Sequence, residues 1–314
     1  MPVINLGDSG IAVSRLGFGT LALSPLQTSL SVEEGAELLC YAWHKGVTFW
    51  DTAQIYNNYP VLKAALSKIK GEPVIATKTY AYTACQAREA VEEARRALGR
   101  DVLDIVLLHE QSALTLPGHR EALEWLAEAR SKGAIRAVGI STHSVSGVQA
   151  ALTWPEIQIL HPLYNQAGVG IRDGNAETMS KALLDAQASG RGIYAMKVLG
   201  GGSLYRDAGT AIAHVLGMPW FESMVIGMVS QEEIDFNLAL CNGRNPAPEL
   251  ASATLGRKRR LHIADWCRGC AACVSVCPQA ALQIEQGKAI VNHDLCLCCG
   301  YCSRVCGEMC LKII

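Results

Sequence analysis

The sequence lacks long hydrophobic runs and a strong charge of either sign. Its 314 residues carry a formal net charge of −1 at pH 7, which gives no electrostatic reason to expect nucleic acid or an anionic membrane as a partner. No stretch approaches the roughly 18 apolar residues of a membrane-spanning helix. The N-terminus also lacks the basic and apolar regions of a secretory signal. We therefore expect a cytoplasmic protein with no nucleic-acid or membrane partner.

Cysteine, by contrast, is abundant and unevenly distributed. Three of the thirteen cysteines are scattered over the first 241 residues, and ten lie between positions 267 and 310. In a long chain without a secretory signal, such crowding indicates metal or redox chemistry more than disulfides.

The crowded cysteines form a duplicated motif. Cys296 lies 29 residues after Cys267, and Cys306 lies 29 residues after Cys277. Each copy has the spacing C-x2-C-x2-C-x3-C of bacterial two-cluster ferredoxins, in which the fourth cysteine binds the other cluster. The motif predicts two 4Fe-4S clusters, one held by Cys267, Cys270, Cys273 and Cys306, and the other by Cys277, Cys296, Cys299 and Cys302.

Structural zinc is the alternative for these cysteines, but zinc sites usually join two C-x2-C pairs over a longer spacer. Cys298 and Cys310 have no cysteine counterpart in the first copy. We interpret both as small apolar residues packed near the clusters.

The first 240 residues alternate strand-like and helical patterns. Eight such strands indicate a (β/α)8 barrel, with a doubly wound sheet as the alternative. No G-x-G-x-x-G follows the first strand, which counts against a dinucleotide-binding sheet. The predicted strands are Arg15–Leu21, Thr48–Asp51, Pro73–Lys78, Val102–His109, Ala134–Ser141, Ile157–Leu163, Gly192–Leu199 and Ser223–Met228.

Polar residues follow several of these strands, where barrel enzymes carry their chemistry. Asp51, Lys78 and His109 end three successive strands, and Tyr56 lies five residues after Asp51. Each alone has a structural interpretation, such as a helix cap or a core histidine. An acid, a phenol, an amine and an imidazole together indicate a candidate active site.

The first domain resembles the aldo-keto reductases. The resemblance rests on Gly17–Thr20, Asp51–Tyr56, Ala76–Lys78, Asp104–His109 and Gly139–Ser141. With the cysteine-rich tail, the chain resembles the iron–sulfur branch of that family. The resemblance implies a (β/α)8 barrel and nicotinamide-dependent reduction of a small-molecule carbonyl, or oxidation of an alcohol.

The resemblance also implies roles for the four polar residues. Tyr56 is the expected proton donor, and a nearby Lys78 ammonium should lower the pKa of its phenol. Asp51 is expected to position Lys78, and His109 to orient the carbonyl oxygen.

Cofactor contacts follow from the same resemblance. The expected dinucleotide-binding residues are Gly19, Thr20, Asp51, Ser141, Thr142, Gln158, Met196, Lys197, Gly201, Gly202 and Asn237. The glycine turn Gly200–Gly202 suits a phosphate, which leaves FMN as an alternative to NAD(P)H. Glu232 and Glu233 follow the last strand, and no base lies beside them. Because two carboxylates oppose a 2′-phosphate, we predict that NADH binds at least as well as NADPH.

The predicted organisation is a barrel over residues 1–241, a linker over residues 242–261 and a ferredoxin-type domain over residues 262–314. The basic run Arg257–Arg260 is either a solvated stretch or a docking patch for an acidic redox partner such as ferredoxin. Three functions remain open. They are a carbonyl reductase whose clusters exchange electrons, with a flavin-linked variant; a reductase with structural clusters; and a redox-sensing binding module.

Overall fold

A computed structural model describes residues 1–28 and 30–314 of the chain. A hairpin of β1 (Val3–Asn5) and β2 (Ala12–Ser14) precedes the main body. Within the described residues, eight parallel strands then close into a barrel in chain order, the last pairing with the first. They are β3 (Leu16–Gly19), β4 (Phe49–Asp51), β5 (Val74–Thr79), β6 (Leu103–Leu108), β7 (Ile135–Thr142), β8 (Ile159–Pro162), β9 (Gly192–Ala195) and β10 (Ser223–Ile226).

Helices connect the strands and form the outer layer of the barrel. The first begins with a capping box, in which the Ser31 hydroxyl accepts from the Glu34 N–H and the Glu34 carboxylate accepts from the Ser31 N–H. These two bonds satisfy N–H groups that a helix start otherwise leaves unpaired. The helices are α1 (Val32–His44), α2 (Tyr59–Leu66), α3 (Ala84–Leu98), α4 (Arg120–Ser131), α5 (Val145–Ala151), α6 (Ala176–Ala188), α7 (Ala208–Leu216) and α8 (Gln231–Cys241).

The core has two parts. The larger lies between the strands and the helices, and the smaller fills the barrel interior with residues such as Phe49, Ile105 and Tyr194. Leu6 and Ile11, from the loop of the β1–β2 hairpin, close the amino-terminal end of the barrel. The opposite end, where the strands terminate, is therefore left for a site. Within the described residues, no helix combines the length and apolarity needed to cross a membrane.

A small C-terminal unit, residues 261–314, follows the barrel. Two antiparallel strand pairs and two single-turn helices shape it around the cysteines, and their bounds are β11 (Leu261–Ile263), α10 (Ala272–Ser275), β12 (Leu282–Glu285), β13 (Lys288–Val291), α11 (Tyr301–Arg304) and β14 (Leu311–Ile313). The predicted fold class, a (β/α)8 barrel followed by a small ferredoxin-type unit, is confirmed.

The segment between the two parts is folded. It contains α9 (Pro248–Leu255), which packs against α8. The Arg260 N–H donates to the Ile314 carbonyl at 2.8 Å, and the Ile314 N–H donates back at 3.0 Å. These contacts hold the basic run Arg257–Arg260 at the edge of a cleft, so these residues are not part of a free linker.

Candidate active site

Four predicted residues meet at the carboxyl ends of the barrel strands. Asp51 ends β4, Lys78 lies at the end of β5 and His109 follows β6, while Tyr56 occupies the loop after β4. Because neighbouring parallel strands end at the same rim, residues 27 or 31 positions apart become neighbours. The structure therefore brings the predicted set together.

A buried ion pair lies at the centre of the site. The Lys78 ammonium donates to the Asp51 carboxylate at 2.6 Å and to the Thr52 carbonyl at 2.7 Å. Burial lowers the pKa of Lys78 and raises the pKa of Asp51, while each charge opposes the shift of the other. Removing either partner would leave a buried charge uncompensated, which is strongly destabilising.

Tyr56 lies above this pair. Its ring is 5.2 Å from the Lys78 Nζ and 5.9 Å from the His109 ring. Burial raises the pKa of Tyr56 well above its usual value, and the Asp51 charge acts in the same direction. Burial is the main cause of this rise, and the proposed lowering of the pKa by Lys78 stays a prediction. The phenol is consequently protonated at neutral pH and carries a proton to give.

His109 is held as a neutral imidazole. Its ring stacks on Tyr80 with centroids 4.6 Å apart. Burial lowers the pKa of His109 well below its usual value, and Lys78 acts in the same direction. Among the residues that the structure describes, none bonds the His109 Nδ1 atom. The imidazole therefore keeps hydrogen-bonding capacity for another molecule.

His161 and Tyr194 were not predicted for the site. The Tyr194 hydroxyl donates to the second Asp51 oxygen at 3.0 Å, and the His161 Nε2 atom lies 3.6 Å from that oxygen. The two rings stack at 3.9 Å. Both carboxylate oxygens are thus engaged, which fixes the orientation of Asp51. The sequence did offer a signal for Tyr194, which is a tyrosine in the middle of an apolar strand. A buried hydroxyl needs a hydrogen-bonding partner, so such a tyrosine indicates a nearby polar group.

Gln158 is the clearest correction to the predicted cofactor contacts. It precedes β8, and its N–H donates to the Val138 carbonyl in the middle of β7. In the register of β7 and β8, His161 lies opposite Ser141. At about 3.3 Å per residue, three residues put Gln158 roughly 10 Å from the rim. His161 occupies the position expected for Gln158.

A cleft of about 640 Å³ runs from the active site towards α9. Eight residues that the sequence predicted for catalysis or cofactor binding line this cleft. They are Gly19, Asp51, Tyr56, Met196, Lys197, Gly201, Gly202 and Asn237. Three predicted hydroxyls instead bond to the backbone. Thr20 donates to the Asp51 carbonyl, Ser141 accepts from the Glu110 N–H, and Thr142 accepts from the Ser144 N–H.

The glycine turn serves a purpose that the sequence did not suggest. A Cβ on Gly202 would lie 2.0 Å from the Ile313 carbonyl oxygen, and Gly202 has a φ of +90°. A Cβ on Gly201 would lie 3.3 Å from the Met309 side chain. The turn borders the cleft, as predicted, but its lack of side chains also lets the C-terminal unit pack directly on the barrel.

The structure places bases beside Glu233, one of the two acids on which the electrostatic argument for NADH rests. The Glu233 carboxylate lies 3.2 Å from Arg259 and 3.7 Å from Arg257, and it also accepts from the Val229 N–H. The segment directly after β10 contains no base, and the basic run Arg257–Arg260 supplies the bases beside Glu233 instead. The same contacts oppose the view of this run as a free docking patch.

The eight predicted ligand cysteines form two groups. Cys273 lies within electrostatic range of Cys267, Cys270 and Cys306. The other four, Cys277, Cys296, Cys299 and Cys302, border one small cavity. Each group contains the fourth cysteine of the other repeat, as the ferredoxin spacing predicts.

Local contacts also fit 4Fe-4S clusters. The Ala289 N–H points at the Cys267 sulfur at 3.4 Å, and the Ala281 N–H points at the Cys277 sulfur at 3.3 Å. Such bonds stabilise cluster-bound thiolates. In residues 1–28 and 30–314, no three His, Cys, Asp or Glu side chains converge tightly enough for a single ion.

The two additional cysteines contact the ligand groups. The Cys310 sulfur lies 3.3 Å from the Cys306 sulfur, and Cys310 is buried. The Cys298 thiol donates to the Arg259 carbonyl at 3.5 Å. Cys310 is therefore placed to hydrogen-bond a ligand, besides filling space.

Sequence-family comparisons agree with both parts of the chain. Residues 15–214 match the model of the aldo/keto reductase family, and residues 262–283 match a 4Fe-4S binding domain. The second match covers the first cysteine repeat.

Curated relatives align over part of their length. An aldo-keto reductase of Mycolicibacterium paratuberculosis is 32% identical over 179 residues, which cover 53% of this chain and 59% of that protein. Aldo-keto reductase YhdN of Bacillus subtilis is 26% identical over 181 residues, which cover 52% and 54%. The chain thus spans a little over half the length of these two relatives.

Solved structures share the barrel. A putative aldo-keto reductase from Pseudomonas aeruginosa has 26% sequence identity and a TM-score of 0.66, over 76% of this chain and 93% of that one. The holo form of aldo-keto reductase AKR11C1 from Bacillus halodurans has 18% identity and a TM-score of 0.67, over 82% and 96%, and it supports the fold alone.

Proposed function

Because the chain belongs to the aldo/keto reductase family and carries a C-terminal 4Fe-4S binding domain, we propose that its barrel reduces a small-molecule carbonyl with a nicotinamide dinucleotide. The observation that carries the proposal is the meeting of Tyr56, Lys78, Asp51 and His109 at one rim of the barrel. A carbonyl reductase needs a proton donor and an oxygen-orienting group at the same place, and this rim supplies both.

When bound, a nicotinamide dinucleotide would supply the hydride for the carbonyl carbon. Tyr56 gives its phenolic proton to the alkoxide oxygen that develops there. His109, as a neutral imidazole, donates a hydrogen bond to the same oxygen and orients it. Lys78 stabilises the phenolate that Tyr56 becomes, and Asp51 holds the ammonium in place. The low polarity of a buried site strengthens each of these electrostatic effects.

The size of the cleft supports a dinucleotide site. Its volume of about 640 Å³ lies within the usual range of cofactor sites. Met196, Asn237 and the basic run all line the cleft. In this proposal Met196 would contact the nicotinamide, and Asn237 and the basic run would contact the adenosine. Arg257 and Arg259 are the groups that would hold a 2′-phosphate, and we therefore propose NADPH as the preferred cofactor.

We propose that the eight cysteines hold two 4Fe-4S clusters within a domain of residues 262–314, after a barrel of residues 1–241. Direct packing of this unit on the barrel, with Met309 against Gly170 and Gly201, supports electron transfer between them. A hydride carries two electrons, whereas each cluster carries one. A flavin such as FMN, or a redox partner such as ferredoxin, would reconcile the two.

One preparation tests these proposals. Protein purified anaerobically should reduce aldehydes with NADPH, and protein denatured for analysis should release no flavin. Released FMN would support the flavin-linked alternative. Normal turnover in a folded variant that lacks one cluster would support structural clusters. Binding without turnover of any carbonyl would favour a redox-sensing module.

A further inference from the structure

Two lysines lie unpaired where the barrel meets the C-terminal unit. Lys312 is on β14 and is 4% exposed, and Lys197 directly follows Met196 after β9. Both line the cleft that contains Tyr56. In the described part of the chain, neither ammonium has a hydrogen-bonding acceptor or a carboxylate at ion-pair distance. The Lys312 Nζ instead lies 4.7 Å from the centre of the Trp266 ring.

The surrounding charges leave an excess of cations. Glu110 is the carboxylate that acts on both lysines, and it is already engaged by Tyr80 at 3.1 Å. Arg172 acts on the same carboxylate. Asp51, the other nearby acid, is paired with Lys78. The Arg172 guanidinium also has the Glu308 carboxylate at 4.0 Å. The ammonium groups of the buried Lys312 and the half-buried Lys197 thus share the Glu110 carboxylate.

Placing the Lys197 and Lys312 ammonium groups together costs free energy unless an anion binds beside them. Burying an ammonium without a partner costs free energy, and a like charge nearby adds to that cost. Burial lowers the pKa of both lysines, and Lys197 lowers the pKa of Lys312 further. An anionic group in the cleft would offset both effects.

We propose that Lys197 of the barrel and Lys312 of the C-terminal unit form one anion-binding site in the cleft, which takes a carboxylate or phosphate group. The C-terminal unit thereby contributes a binding residue to the barrel's active site. The anion comes either from the substrate, as the carboxylate of an oxo acid, or from the diphosphate of the dinucleotide. The choice between these sources rests on the proposed function, whereas the site itself does not.

The first test needs no turnover. The thermal midpoint of the iron-loaded protein is measured in increasing inorganic phosphate, with chloride holding the ionic strength constant. Phosphate should raise the midpoint of the wild type, because a ligand that binds the native state stabilises it. Lys312→Gln should lose most of this rise, and Lys312→Arg should retain it. Lys288→Gln changes an exposed lysine of the same unit and is the matched control.

The second test identifies the source of the anion. KM is compared for an aromatic 2-oxo acid and its methyl ester, and Kd is measured for NADPH. If the anion is the substrate carboxylate, Lys312→Gln raises KM for the acid by about 10-fold or more, the loss expected for a charge-assisted hydrogen bond, and leaves the ester unchanged. If it is the cofactor diphosphate, Kd for NADPH rises by a similar factor instead.

The iron content and visible spectrum of each variant confirm that the C-terminal unit is intact. A change in the phosphate response, in the acid-to-ester KM ratio or in the NADPH Kd supports the site. Wild-type values of all three in Lys312→Gln would overturn it. An inactive wild type that still responds to phosphate would reject the proposed function while keeping the site.

Discussion

The Glu233 carboxylate lies 3.2 Å from the Arg259 guanidinium, across 26 residues of sequence. Arg257 lies 3.7 Å from the same carboxylate and borders the cleft. Glu233, one of the two acids expected to repel a 2′-phosphate, is therefore paired with two bases, and the basic run borders the part of the cleft proposed for the adenosine.

We expect NADPH to bind more tightly than NADH. Arg257→Gln should weaken NADPH by about 10-fold, the loss of a charge-assisted hydrogen bond, and change NADH little. Calorimetric titration of both dinucleotides measures this difference. Arg244→Gln, at an exposed position, is the control. Equal losses for both dinucleotides would place Arg257 away from the 2′-phosphate.

The proton donor is tested by Tyr56→Phe. Its turnover should fall by the 10²- to 10⁴-fold typical of general acid catalysis, while Kd for NADPH stays near the wild-type value. The reason is that the phenol acts on the developing alkoxide and not on the dinucleotide. Tyr82→Phe removes an exposed hydroxyl at the same rim and should turn over normally. Wild-type turnover by Tyr56→Phe would assign the proton to another group.

Local patterns were sufficient for much of the fold and for the grouping of the cysteines. The strands were predicted to within a few residues, because each buried strand is a continuous apolar run. The cysteine spacing predicted the two groups in which the cysteines lie, since closely spaced residues of one chain stay close in the fold. The helix α9 was missed, because it lies in the segment predicted as a linker. Its eight residues give about two turns, too few for a helical period to stand out.

Long-range contacts explain what the sequence could not supply. The rim position on β8 depends on the register between β7 and β8, so an alignment three residues out exchanged Gln158 for His161. The pairing of Glu233 with Arg259 depends on how α9 folds back on α8. Neither contact can be predicted from the residues that are its neighbours in the sequence.

Metal analysis tests the cluster assignment. Anaerobically purified protein should contain about eight irons and eight acid-labile sulfides per chain, the content of two cubane clusters. Cys270→Ser removes one ligand and should lose at least the iron of one cluster. Cys85→Ser changes an exposed cysteine of the barrel and should keep the full content. Zinc without sulfide would contradict the assignment.

Buried histidines should make stability depend on pH. Burial lowers the pKa of His143 to about 4, below its ordinary value near 6.5. Between these values the unfolded chain binds a proton that the native state does not, so stability is full above about pH 6.5 and falls as the pH drops towards 4. This one group should contribute a slope of about 1.4 kcal/mol per pH unit.

His143→Gln should remove that contribution. Chemical denaturation between pH 7.5 and 5.5 compares it with the wild type, and loss of the clusters at low pH affects both proteins alike. His44→Gln changes an exposed histidine and should follow the wild type. A His143→Gln slope identical to that of the wild type would show that His143 titrates normally in the native state.

A single substitution in the glycine turn tests its contact with β14. Gly202→Ala would place a methyl group 2.0 Å from the Ile313 carbonyl oxygen, which the backbone on both sides cannot accommodate without moving. We expect the C-terminal unit to separate from the barrel, with faster proteolysis of residues 242–261 and a lower thermal midpoint. Gly243→Ala provides the matched control, because Gly243 also has a positive φ, +69°, but open space around its Cβ position. Its cost should be limited to the roughly 1 kcal/mol of backbone strain for alanine in that conformation. Equal effects of the two substitutions would mean that strain in the turn, and not the contact with Ile313, accounts for the loss.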